Sequence, residues 1–164
     1  MPALMAAIVD TSLPELRSNL NKQALALWNA KREGAAMPRR IDLLEMTPFI
    51  ESVVLIDVLS DPLDFYYRFV GSRIDEFLSQ PLTGRTMRAM PHQQPPSRIW
   101  SATCKVVETR APVSGDVPYV GPKRDFTAME DLVMPIAKDG ETVSQVLVTA
   151  DFFQPAPRRH PGVR

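Results

Sequence analysis

The chain has a single cysteine, Cys104, and only two histidines, His92 and His160. One thiol excludes an internal disulfide and cannot supply the clustered thiolates of a structural zinc site, so a reducing cytoplasm is the expected compartment. An excess of charge is missing too: Lys+Arg and Asp+Glu both number 19. No long-range field therefore draws the molecule to nucleic acid or to an anionic membrane. No apolar run approaches the ~18 residues of a membrane span, and the opening MPALMAAIVD lacks the basic start and the apolar length of a signal peptide. A soluble, unexported protein is expected, with neither nucleic acid nor membrane among its partners. Gly-x-Gly-x-x-Gly, a Gly-Lys-Ser/Thr phosphate loop, Gly-x-Ser-x-Gly and the kinase signatures are absent as well, which removes the common phosphate-cradling and nucleophile-elbow chemistries.

What is present is an ordinary globular composition. Of the 164 residues, 45% are hydrophobic and 23% charged, far from the disordered corner and enough for one domain with a packed core plus terminal extensions. Ser12-Leu13-Pro14-Glu15 has capping-box spacing. It predicts an amphipathic helix with the stripe Leu13, Leu16, Leu20, Ala24, Leu27 and Trp28, ending at Gly34. That stripe suits docking on the parent domain or pairing with a second copy, and a homodimer through residues 12–33 is the expectation. Ile41 to Ile50 reads as one or two helical turns capped by Asp42. Glu51 to Leu59 and Phe65 to Val70 are rich in β-branched and aromatic residues around the turn formers of residues 60–64, which predicts a β-hairpin.

A short helix is expected from Ser72, with Ile74, Phe77 and Leu78 at helical spacing, and a longer one capped by Ser97 and running to about Thr109. Its buried face would carry Trp100, Thr103, Cys104 and Val107, flanked by Ile99 and Val106. Strands follow at residues 113–120, 126–136 and 143–153, the last two joined by the hairpin signal Asp139-Gly140. Hairpins on both sides of the helices argue for an antiparallel sheet covered by helices, an α+β fold.

The residues carry a resemblance beyond this order. Ala26-Leu27-Trp28, Met37-Pro38-Arg39-Arg40, Val54-Leu55-Ile56-Asp57-Val58 and Phe65-Tyr66-Tyr67-Arg68-Phe69-Val70-Gly71-Ser72 form its first half. Leu82-Thr83-Gly84-Arg85, Val106-Val107-Glu108-Thr109 with Pro112-Val113, and Leu132-Val133-Met134-Pro135-Ile136 form its second. Over most of residues 20–153 the chain resembles a bacterial, mainly alphaproteobacterial, family of single-domain PAS-like proteins of unknown function. The resemblance implies a five-stranded antiparallel sheet with helices on one face, preceded by the N-terminal helix. Residues 1–50 would be helix and linker packing on the core, 51–153 the PAS-like domain, and 154–164 a flexible tail. It implies a sensory or regulatory module that acts by binding a small molecule, a regulatory protein or itself, with no catalysis. The pocket expected on that plan is lined by Phe69, Phe77, Trp100, Cys104, Tyr119 and Leu132, although apolar residues at these spacings also simply fill a core.

The remaining candidates for chemistry are weak. No flavin-type motif surrounds Cys104, which reads best as a small buried hydrophobe. His92 lies in a proline-flanked loop and His160 in the tail, so neither a metal site nor a bound cofactor is expected. Glu130 and Asp131 are adjacent, so on a strand they point to opposite faces, and solvated charge explains them. Two alternatives remain: a small-molecule enzyme using the cupped sheet as its active site, which a buried Glu130 or Asp131 facing a cavity would favour, and a ligand-free structural interaction module, which a core with no cavity behind Trp100 would favour. Arg68, Arg85 and Arg124 offer planar donor forks for an acidic ligand, with Arg68 and Arg124 the candidates taken forward; an ordinary ion pair, such as Arg68 with Asp57, is the plainer role.

Overall fold

The computed structural model of the chain describes residues 15–156. Five antiparallel strands, β1 (Val53–Leu59), β2 (Asp64–Val70), β3 (Val113–Pro118), β4 (Ala128–Ile136) and β5 (Gln145–Phe153), form one sheet in the order β2-β1-β5-β4-β3. The helices are α1 (Asn19–Ala30), α2 (Ser72–Phe77) and α3 (Arg98–Thr109). The expected five-stranded α+β architecture is what the chain adopts.

Cross-strand partners share a face of the sheet, which sorts the side chains without ambiguity. Leu55, Leu147 and Met134 lie in one register row, next to the row of Leu132 and Thr149 on the same face. That face receives α1, because Thr149 donates its hydroxyl to Asn21 Oδ1 at 2.7 Å. The other face carries Val54, Ile56, Asp131, Val148 and Ala150 and receives α2 and α3.

Helix α1 starts later than the Ser12 expectation. Ser12, Leu13 and Pro14 lie outside the described residues, while Glu15 to Ser18 are not helical. The helix is capped by Ser18, whose Oγ accepts the Asn21 N–H at 3.1 Å. Glu130 explains the delay, since its carboxylate accepts the N–H groups of Arg17 at 2.8 Å and Ser18 at 3.2 Å and ties this stretch across the sheet. The buried face is also turned from the expected stripe: Asn21, Ala24 and Trp28 are buried, while Leu20 and Leu27 lie half-buried on its flank. Asn21 is tolerated at 0% exposure because its amide bonds Thr149 and both the carbonyl and the carboxylate of Glu130. Trp28 closes the contact by donating Nε1–H to the Pro135 carbonyl at 2.8 Å.

Asp42 and Glu45 form a capping box that starts a 3-10 helix over Leu43–Ser52, and Lys31 at the end of α1 pairs with Glu45. Met37, Ile41 and Met46 from this linker join the same continuous core as Ile56, Met134, Val146 and Leu147. Gly71 fits where β2 turns into α2 because a Cβ there would run into the Glu51 carbonyl. The β4–β5 turn places Gly140 at φ +84°, and Asp139 accepts the N–H groups of Glu141 and Thr142, as the Asp-Gly signal predicts. The tail from residue 157 onward lies outside the described residues.

Candidate functional site

On the α2/α3 face the sheet and helices leave a cavity of about 340 Å³. Its floor is sheet: Val54 and Ile56 from β1, Tyr67 from β2, Asp131 from β4, and Val148 and Ala150 from β5. One end is aromatic. Phe77 of α2 stacks on Phe152 at 3.8 Å, Tyr119 and Phe126 meet Phe77 edge-on, and Tyr119 donates its hydroxyl to the Phe77 carbonyl at 2.7 Å. The rim includes His92 and Val120, both exposed.

The opposite end is polar. Asp131, 3% exposed, forms an ion pair with Arg98 at the start of α3, with both carboxylate oxygens facing the guanidinium. Gly115, beside them on β3, leaves the room: a Cβ there would lie 2.7 Å from Arg98 Nη1 and 3.0 Å from Asp131 Oδ1. Tyr67, 2% exposed, donates its hydroxyl to Gln93 Oε1, and burial pushes this phenol well above its ordinary pKa, keeping it neutral. Ser97 Oγ donates to the Gln93 carbonyl at 2.6 Å and accepts the Trp100 N–H at 3.1 Å, so it fixes the loop and caps α3 together.

Of the eight candidate site residues, the six pocket positions and the two arginines, Phe77 and Tyr119 line the cavity and six are elsewhere. Phe69 is turned away by a β-bulge: Leu55 pairs with Phe69 but Ile56 with Tyr67, so Arg68 is an extra residue and the alternation Phe65, Tyr67, Phe69 breaks. Leu132 shares a face with Thr149 and so lies under α1. Trp100 packs edge-on against Phe65 at 5.0 Å and beneath the Arg88 guanidinium, away from the cavity. Cys104 is half-buried on α3; burial and the nearby Glu108 push its thiol up, which suits packing rather than nucleophilic work. Arg68 pairs with Asp57, its Nε 2.6 Å from the carboxylate, and Arg124 is exposed in the β3–β4 connection.

Glu130 and Asp131 do point to opposite faces, but the expectation of solvated charge fails, since each is 3% exposed. Glu130 is tolerated by hydrogen bonds from α1 and the segment before it, Asp131 by Arg98. The polar wall was missed because Tyr67, Gln93, Ser97 and Arg98 come from a strand, a proline-rich loop and a helix start that no spacing connects. The one available signal was Asp131 itself, an acid between Met129 and Val133 on an otherwise apolar strand face.

Among the described residues no three His, Cys, Asp or Glu side chains gather as a metal site, and no helix is long and apolar enough to cross a membrane. No curated protein matches the chain. Two solved structures are similar to it at low identity. A fungal LOV-domain photoreceptor is 15% identical, with 81% of this chain and 92% of that one covered at a TM-score of 0.45. The PAS domain of a protein from Colwellia psychrerythraea is 12% identical, with 69% and 98% covered at 0.43. A family model described as PAS domain matches residues 16–149, from the buried Leu16 ahead of α1 to Thr149, the β5 residue that holds α1. Covering all three helices, most of the sheet and the cavity's lining apart from Ala150 and Phe152, that span makes the chain a member of the PAS domain family.

Proposed function

We propose that the protein is a sensory or regulatory module whose cavity takes up a small molecule, in the reducing cytoplasm of a bacterium. The observation that supports this is the cavity itself: about 340 Å³, walled mainly by apolar side chains and closed at one end by a few placed polar groups. That is the usual make-up of a small-molecule site. Binding rather than catalysis fits the polar wall. Its buried carboxylate, Asp131, is engaged by Arg98 and is therefore not a free base.

Output would pass by contact with a regulatory protein or a second copy. Ala24 and Trp28 are buried on the chain's own sheet, so a homodimer through α1 would use its exposed and half-buried positions, Leu20 and Leu27 among them. Ala150, small and on the cavity floor, supplies the test. Thermal unfolding against a panel of metabolites should show stabilising compounds for the wild type and none of them for Ala150→Leu, which fills the floor. Stabilisation that survives Ala150→Leu would place binding elsewhere and sink the proposal.

A further inference from the structure

We infer that the cavity's ligand is a small monocarboxylic acid with an apolar body, its carboxylate set at the Arg98–Gln93 end. The inference rests on reading the cavity as a ligand site. Size comes first: a cavity of about 150 Å³ holds benzene, so the 340 Å³ here accommodates on the order of a dozen non-hydrogen atoms. The aromatic end, with Phe77, Tyr119 and Phe152, and the apolar floor suit a hydrocarbon chain or an aryl group.

The polar end decides the head group by which hydrogen-bonding capacity is left over. Its carboxylate, amide and serine oxygens each already face a donor. Both Asp131 oxygens face Arg98, Gln93 Oε1 accepts from Tyr67, and Ser97 Oγ accepts from the Trp100 N–H. The hydroxyl protons of Tyr67, Ser97 and Tyr119 are committed to Gln93 Oε1, the Gln93 carbonyl and the Phe77 carbonyl. Donors remain. Arg98 directs two of its nitrogens to Asp131, and neither its Nε–H nor the side-chain Nε2 of Gln93 has a hydrogen-bond partner among the described residues. A guanidinium carries five N–H donors and can hold two carboxylates at once. Arg98 is also the more exposed member of its pair, with 43% of its side chain exposed against 4% for Asp131, so it is the one a ligand can reach. An alcohol would offer the free guanidinium N–H only a neutral oxygen, a weaker partner than a carboxylate, and an ammonium would meet a cation.

Phenylbutyrate, phenylbutanol and phenylbutylamine share one body and differ in the head, and calorimetric titration of the full chain compares them. The acid should bind about tenfold more tightly than either, the factor expected of a charge-assisted hydrogen bond. In the double variant Arg98→Gln/Asp131→Asn, which leaves no unpaired buried charge, that preference should disappear while the alcohol's affinity stays. Alcohol or amine binding as tightly as the acid in the wild type overturns the acidic head group and leaves the cavity a ligand site. Binding by none of the three overturns this ligand class, and the metabolite panel against Ala150→Leu then decides separately whether the cavity binds at all. The wild-type comparison needs no variant, so it stands even where the double variant fails to fold.

Discussion

Asp131 is the residue whose environment does most to shape the cavity, and its burial makes Arg98 a structural partner as well as a wall group. Removing the guanidinium alone strands a charge at 3% exposure. Arg98→Ala should therefore cost about 1–3 kcal/mol in urea unfolding, and Asp131→Asn added to it should recover part of the loss. Equal stability of Arg98→Ala and wild type would show that the pair is not formed. Asp57 gives a pH signature on the same scale. Burial opposes its ionisation, but hydrogen bonds from Arg68 and Gln145 outweigh that and hold the carboxyl below its ordinary 3.8. The unfolded chain thus takes up the proton first as pH falls. The stabilisation is present above about pH 4 and drains away on acidification through the folded-state value. Unfolding midpoints across about pH 5 to 2 should fall less steeply for Asp57→Asn than for wild type. The Asp57–Arg68 pair was legible from the two residues' types and their nearness across a hairpin. The displacement of Phe69 was not, because a bulge depends on backbone hydrogen bonding that a run such as Phe65-Tyr66-Tyr67-Arg68-Phe69 does not reveal.

At the scale of elements, local chemistry announced most boundaries and tertiary contacts moved the rest. Ser97, Asp42 and Asp139-Gly140 mark their helix starts and turn as capping and turn rules require. The start of α1 moved from Ser12 to Asn19 because the capping signal competes with Glu130, more than a hundred residues away, for the segment ahead of the helix. On α3, Thr103 and Val106 are the most buried positions, so Val106 lies at the centre of a face on which spacing had placed it at the flank. Ser18 links the two levels, since it caps α1 and donates to Asp151 at 2.7 Å. Ser18→Ala should cost about 1–2 kcal/mol by denaturant unfolding. Amide exchange should rise first in α1, and faster exchange spread evenly over the sheet would contradict this docking.

For the molecule as a whole, one sheet serves two sides. Adjacent residues of β4 face opposite ways, Glu130 holding the entry to α1 and Asp131 holding Arg98 at the cavity wall. The α+β architecture was legible because hairpin signals, β-branched runs and helix caps agree with one another. The cavity was not, because a void is a property of how elements pack rather than of any one of them. The central claim, that this void is a small-molecule site, is tested most directly by native mass spectrometry of the full chain after incubation with a soluble metabolite extract. The masses recorded before and after denaturation are then compared. The account predicts an added mass that denaturation releases and that Ala150→Leu does not retain. A spectrum showing only the polypeptide, as monomer or dimer, in both states would contradict it.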